Sequence, residues 1–185
     1  AGALVETGIG EKQALYATYR RSTMDLLLDE EDINDETDEE DEGLQIDRLP
    51  VSEDYQLKYS WQPSEGNGLS VVAAGASDGL AATFEETHEE ALRDPDFAGP
   101  ASLEQGFDSQ GVVWDWRGRG RDLTTIVSHI SESTSLVYGR DQHEKTRSDR
   151  YLSRFLFTQA LNDRHSLSMG LSLENIEYDL DFNAK

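Results

Sequence analysis

The sequence predicts an all-β fold, an antiparallel up-and-down meander of about eight strands. Three observations carry that expectation. Apolar and polar residues alternate with period two in segment after segment, and a helical period of 3.6 is almost absent. The alternating segments are joined in turn by short, turn-rich links and by long ones. No run approaches the ~18 consecutive apolar residues of a membrane-crossing helix.

Strands are expected at roughly 2–8, 13–24, 53–62, 69–77, 109–117, 122–137, 148–160 and 166–182. The first two flank the turn Ile9-Gly10-Glu11-Lys12. In the third, Tyr55, Leu57, Tyr59 and Trp61 alternate with polar residues. Pro63 to Gly68 turns the chain into the fourth, which begins at Leu69. The fifth sends Val112, Trp114 and Trp116 to one face and Asp115 and Arg117 to the other, and Arg119-Gly120-Arg121 links it to the sixth. Tyr151, Phe155 and Phe157 share a face of the seventh, opposite Arg154. Leu161 to His165 then leads into the eighth. There Leu167, Met169, Leu171 and Leu173 alternate with Ser and Gly. Ile176, Tyr178, Leu180 and Phe182 resume one residue out of phase, which predicts a β-bulge at Glu174-Asn175. The remaining links, 25–52, 78–108 and 138–147, are long.

Links that are short at one end and long at the other suit a meander whose two ends face different surroundings. Together with strand lengths of ~9–11 residues or more, this predicts part of a larger transmembrane β-barrel. A soluble sandwich usually has shorter strands and no such alternation of loops. A mean hydropathy of −0.65 does not oppose the barrel, since a barrel strand is polar on one side. On this reading Val71, Ala73, Ile126, Phe155, Phe157, Leu171 and Leu180 face lipid, while Lys58, Asp115, Arg117, Arg154 and Glu174 face water. Trp61, Trp114, Trp116, Tyr55 and Tyr59 are expected in an interfacial aromatic girdle rather than stacking a ligand.

Charge narrows the function classes. Lys and Arg total 16 and Asp and Glu 38, a net charge of −22, which argues against a nucleic-acid partner and against a basic surface helix on anionic lipid. Cysteine is absent, so there is no disulfide framework and no thiolate metal site. Between Asp29 and Glu42 only Ile33, Asn34 and Thr37 are not acidic. The run is expected to be a solvated external loop; collecting cations is the alternative, and it lacks the glycine and ligand spacing of an EF-hand.

Ala3-Leu4-Val5-Glu6-Thr7-Gly8, a Gly-Glu-Lys turn and Tyr16-Ala17-Thr18-Tyr19-Arg20-Arg21-Ser22-Thr23-Met24-Asp25 together resemble an early barrel hairpin of TonB-dependent receptors. Asp54 to Tyr59 followed by Asn67 to Val71 looks like the next hairpin, with Gly75-Ala76-Ser77-Asp78 as its exit. Arg164 to Leu171 is similar to a later turn and strand. The resemblance implies a transporter in the outer membrane of a Gram-negative bacterium, with a barrel of some 22 strands and an N-terminal plug. It implies three partners: the outer-membrane lipid, an imported small-molecule ligand (of siderophore, vitamin or glycan class) and an inner-membrane energy-coupling protein acting through the plug. No signal peptide, plug, energy-coupling box or C-terminal aromatic is read in residues 1–185, so the expectation is a partial barrel.

Other motifs are weighed against this frame. Gly75-Ala76-Ser77-Asp78-Gly79 matches Gly-x-Ser-x-Gly, and Leu80 to Leu92 could pass as the helix of a nucleophile elbow, with His88, His129, His143 or His165 as base. An antiparallel meander is the wrong setting for it, and a strand leaving into a loop is expected. The four His lack metal-ligand spacing, and His129 is expected to face the lumen. Arg117, Arg119 and Arg121 are expected at a solvated turn. The sequence therefore predicts no enzyme, and no catalytic, cofactor or metal site. The alternatives to a transporter wall are a secreted β-domain for adhesion or cation binding and a serine hydrolase using Ser77.

Overall fold

Strand pairing starts at the second residue and runs on with few interruptions. In a computed structural model, which describes residues 1–22, 43–140 and 142–183, the strands are β1 (Gly2–Gly8), β2 (Gln13–Arg21), β3 (Leu44–Ser64), β4 (Asn67–Phe84), β5 (Gly99–Gly118), β6 (Arg121–Tyr138), β7 (Gln142–Asn162) and β8 (His165–Asn183). They form one antiparallel sheet in the order β1 to β8, each bonded to its neighbours in sequence. The sheet is open. Among the described residues β1 and β8 do not pair with each other.

The turns at one end are tight, and their residue types explain them. Arg119 and Gly120 both adopt positive φ, 52° and 72°, the two-residue turn whose twist matches that of the flanking strands. Glu65-Gly66 makes the equivalent link, and a Cβ on Gly66 would stand 2.1 Å from the Arg117 carbonyl oxygen. These short links fall where the sequence predicts them.

The other end differs from expectation. β3 begins at Leu44 and β4 continues to Phe84, so 44–52, 78–84 and 99–108 are strand, and within 78–108 only 85–98 connects. The acidic residues from Asp29 to Glu42 lie outside the described residues. The link expected at 138–147 shrinks to residues 139–141. Gly, Ala, Ser and Asp in these stretches have weak strand propensity, but each lengthened strand is paired by a neighbour of equal length. β3 bulges between Ile46 and Val51, around Pro50, which has no N–H to give a ladder. No bulge occurs at Glu174-Asn175; Leu152↔Glu174 and Tyr151↔Asn175 pair in unbroken register.

The segment from Glu85 to Ala98 folds over the far end of the sheet. It holds helix α1 (Glu89–Arg93), where the His88 ring caps the Glu90 N–H, and a 3-10 turn at Pro95–Phe97. Phe84 packs on Phe97 and His88, with ring centroids 4.9 and 4.8 Å apart, and Ala91 and Ala98 are buried there. Leu49 and Ala82 are the other buried apolar residues, and no large side chain is fully enclosed among the described residues. The sheet is one layer thick.

Candidate functional site

Residues directly opposite in an antiparallel ladder point to the same face, so the register assigns every side chain. One row runs Leu15, Tyr59, Val71, Val112, Val127, Ser153, Leu173. The row nearer the tight turns reads Trp61, Leu69, Trp114, Thr125, Phe155, Leu171, and beyond it come Trp116, Leu123, Phe157 and Met169. The row on the other side contains Val5, Ala17, Leu57 and Ala73. Together they make a continuous apolar band across all eight strands.

The band has chemical borders. Trp61, Trp114, Trp116 and Phe157 line its turn-side edge, and Tyr19, Tyr55 and Tyr151 its far edge. There the hydroxyls reach the polar rows: Tyr19 donates to Glu53 Oε2 at 2.8 Å and Tyr55 to Asp108 Oδ1 at 2.6 Å. The next full row is Arg21, Glu53, Ser77, Gly106, Ser133, Arg147, Asp179. A few residues along the same face separate Leu from Asp.

The band is also slanted. Leu15, the residue of β2 nearest the turns in the band, shares its row with Leu173, the band residue of β8 farthest from them. The band thus slides by about five residues over six strand steps. At ~3.3 Å per residue and ~4.8 Å per strand this is an angle of about 30°.

The second face reads differently beside the band. Lys58, Asp115, Arg117, Arg154 and Glu174 all lie on it, as the sequence predicts. Of the seven residues expected in the apolar band, Val71, Ala73, Phe155, Phe157 and Leu171 belong to it. Ile126 and Leu180 instead lie on the second face, opposite Val113 and Thr146. Leu180 belongs to a set that appears on the second face toward the far end: the row Leu80, Leu103, Leu136, and on β8 Ile176 to Phe182. The apolar face inverts there while the backbone register runs on.

His129 is on the first face, not among the residues beside Lys58 and Arg154. It stacks on Tyr151, centroids 4.5 Å apart, and its Nε2 is 3.0 Å from Asp149 Oδ1. Asp149 stands beyond the band. The Arg147 guanidinium, with hydrogen bonds from Ser131 and His129, holds its carboxyl below the usual carboxylate value.

Ser77 sits in mid-strand, opposite Glu53 and Gly106, and its hydroxyl donates to Glu53 Oε1 at 3.4 Å. The strand runs on to Phe84 through Gly79, so the strand–turn–helix geometry of an elbow is not formed; the expected exit into a loop at Ser77-Asp78 is not formed either. Arg117 and Arg121 fall on opposite faces with Arg119 in the turn between, which divides the basic cluster. No group of three or more His, Asp or Glu suited to a metal occurs among the described residues. A groove of about 610 Å³ on the far half is floored by Ser77, Gly106 and Ser133 and rimmed by the Arg48–Glu104 ion pair at 2.9 Å. It is not legible in the sequence, because its residues come from five strands. No family model, no curated protein and no solved structure matches this chain.

Proposed function

We propose that the chain is a sector of the wall of an outer-membrane β-barrel, with the first face of the sheet against lipid and the second toward a water-filled lumen. The observation that carries the reading is the slanted apolar band with aromatic borders. Trp61 to Tyr55 covers about 20 Å along the strand, and the rings at either end bring the apolar surface near the ~25 Å of such bands. The slant of about 30° approaches the 35–45° tilt that barrel closure requires. Leu57, Val71, Val112, Trp114 and Phe155 are each left more than 40% exposed. The bare apolar surface is on the order of 1,000 Å², beyond what a soluble monomer leaves open. Between the two edges lipid covers it at no cost in unpaired backbone, because β2 to β7 are bonded to a strand on both sides.

We further propose that this wall belongs to an importer of the TonB-dependent receptor type, which takes up a scarce solute with energy supplied from the inner membrane through a plug. The hairpin motifs around Arg20-Arg21-Ser22 and Arg164-His165-Ser166 support that class. The chain's part is passive. Its residues separate two solvents and build loops.

All three tryptophans lie at the turn-side border, so their fluorescence tests the wall reading. In vesicles of brominated phosphatidylcholine, bromines close to the headgroup should quench strongly and bromines at the bilayer centre weakly. Insensitivity to both overturns the proposal.

A further inference from the structure

We infer that the free edge of β8 is a docking site for an antiparallel β-strand whose first face is cationic along its far half and apolar along its turn-side half. The inference deepens the wall reading, and its apolar half rests on it. Three observations on β8 carry it.

First, the edge is long and open. β8 pairs only with β7 and is exposed along its whole length, and from His165 to Phe182 its outer row of backbone donors and acceptors has no strand beside it among the described residues. Second, the band runs off this edge undiminished, through Leu167, Met169, Leu171 and Leu173 at 45 to 62% exposure. A strand added here meets an apolar half-surface that only apolar side chains continue. Third, the far half of the same face reads Glu177, Asp179, Asp181, and β8 has no Lys or Arg. The neighbours on β7 offset this charge only in part: Lys145 and Arg147 stand opposite Asp181 and Asp179, but Arg147 is bonded to Asp149 at 2.9 Å, and Asp149 itself faces Glu177. Only His143, 3.4 Å from Asp181, forms an ion pair with the three acids among the described residues. Directly opposed charges of opposite sign favour strand pairing and like charges oppose it.

The charge pattern also selects against a second copy of the chain. In antiparallel overlap along its full length, β8 against β8 sets Glu177, Asp179 and Asp181 beside Leu171, Met169 and Leu167 of the other copy, charge against apolar surface. β1, the other open edge, offers no Lys or Arg, and its only charged residue is Glu6.

The test uses the whole chain in detergent micelles and a labelled 19-residue strand peptide. Its first face carries Lys opposite Glu177, Asp179 and Asp181 and Val or Leu opposite Leu167 to Leu173. The control peptides replace Lys by Glu, or shift the Lys residues by one position so that they oppose Ile176, Tyr178 and Leu180. The Lys peptide should bind about tenfold more tightly than either control, and the preference should fade with salt. In a chain with Asp179→Lys and Asp181→Lys the Glu peptide should become the better ligand. Equal binding of the Lys and Glu peptides, equal binding of the shifted peptide, no binding of any peptide, or an edge already closed by a second copy overturns the inference. Tryptophan quenching by brominated lipid reports the wall reading separately, so the two can fail independently.

Discussion

At Gly66 and Gly120 the backbone sits where L side chains rarely go, and at Gly66 there is also no room. A Cβ there would overlap the Arg117 carbonyl, which accepts no displacement without breaking the β3–β4 hairpin's contact with β5. Gly66→Val should therefore destabilise the protein by several kcal/mol in a denaturant titration, of the size seen when special backbone positions are lost. Arg119 has the same left-handed φ with a side chain, so Arg119→Asn should leave stability unchanged or slightly raised, since Asn tolerates that region better. Asp149 makes a pH prediction. Its carboxyl is held below the ordinary value, so the stabilisation from its ionic contacts is present at neutral pH and is lost as pH falls through the depressed value. Asp149→Asn should flatten the acid side of a plot of unfolding midpoint against pH. Residue types make the tight turns legible in the sequence. They do not make Tyr19–Glu53 or Tyr55–Asp108 legible, since those partners lie on different strands and meet only through register.

On the proposed wall reading, adjacent positions along a single strand answer to different solvents. Val71→Arg puts a charge in the middle of the apolar band and should cost about 2–4 kcal/mol of stability in lipid, whereas Gln56→Arg on the second face should stay within about 0.5 kcal/mol. Equal costs measured by chemical unfolding in vesicles would remove the distinction between the faces. Period-two alternation made the eight strands, their turns and the five second-face residues around Lys58 readable. It failed where β4, β5 and β6 pass the band, because Leu80, Leu103 and Leu136 there belong to the opposite face from Val71, Val112 and Val127. Alternation gives the phase of a segment, and a phase change can mean a bulge or a change of surroundings. For β8 the sequence suggested the first, and the register runs through without a bulge. The same ambiguity put Ile126 and Leu180 on the wrong face.

For the molecule as a whole, one layer with two open edges needs something on its apolar side. In plain buffer the isolated chain should associate, and size-exclusion chromatography should show a folded single species only in detergent or lipid. The slant supplies a second test. In oriented bilayers, the amide I dichroism should give strands tilted by about 30–40° from the membrane normal. Upright strands would contradict the diagonal band. The groove escaped the sequence because its residues come from five strands, and the fold-over segment at Glu85–Ala98 because its five-residue helix is too short to show a helical period.

The inversion of the apolar face has one more effect. A sheet of this kind carries its own waterline. On the wall reading, sinking by a single row would drag Glu53 and Asp108 into hydrocarbon, and rising by one would pull the Trp61–Trp116 border from the headgroups into the core and wet the apolar residues beside Tyr55 at the far edge. If the sheet is such a wall, its depth in the bilayer is fixed from both directions, and a mutation that erased the charged row would leave it free to bob.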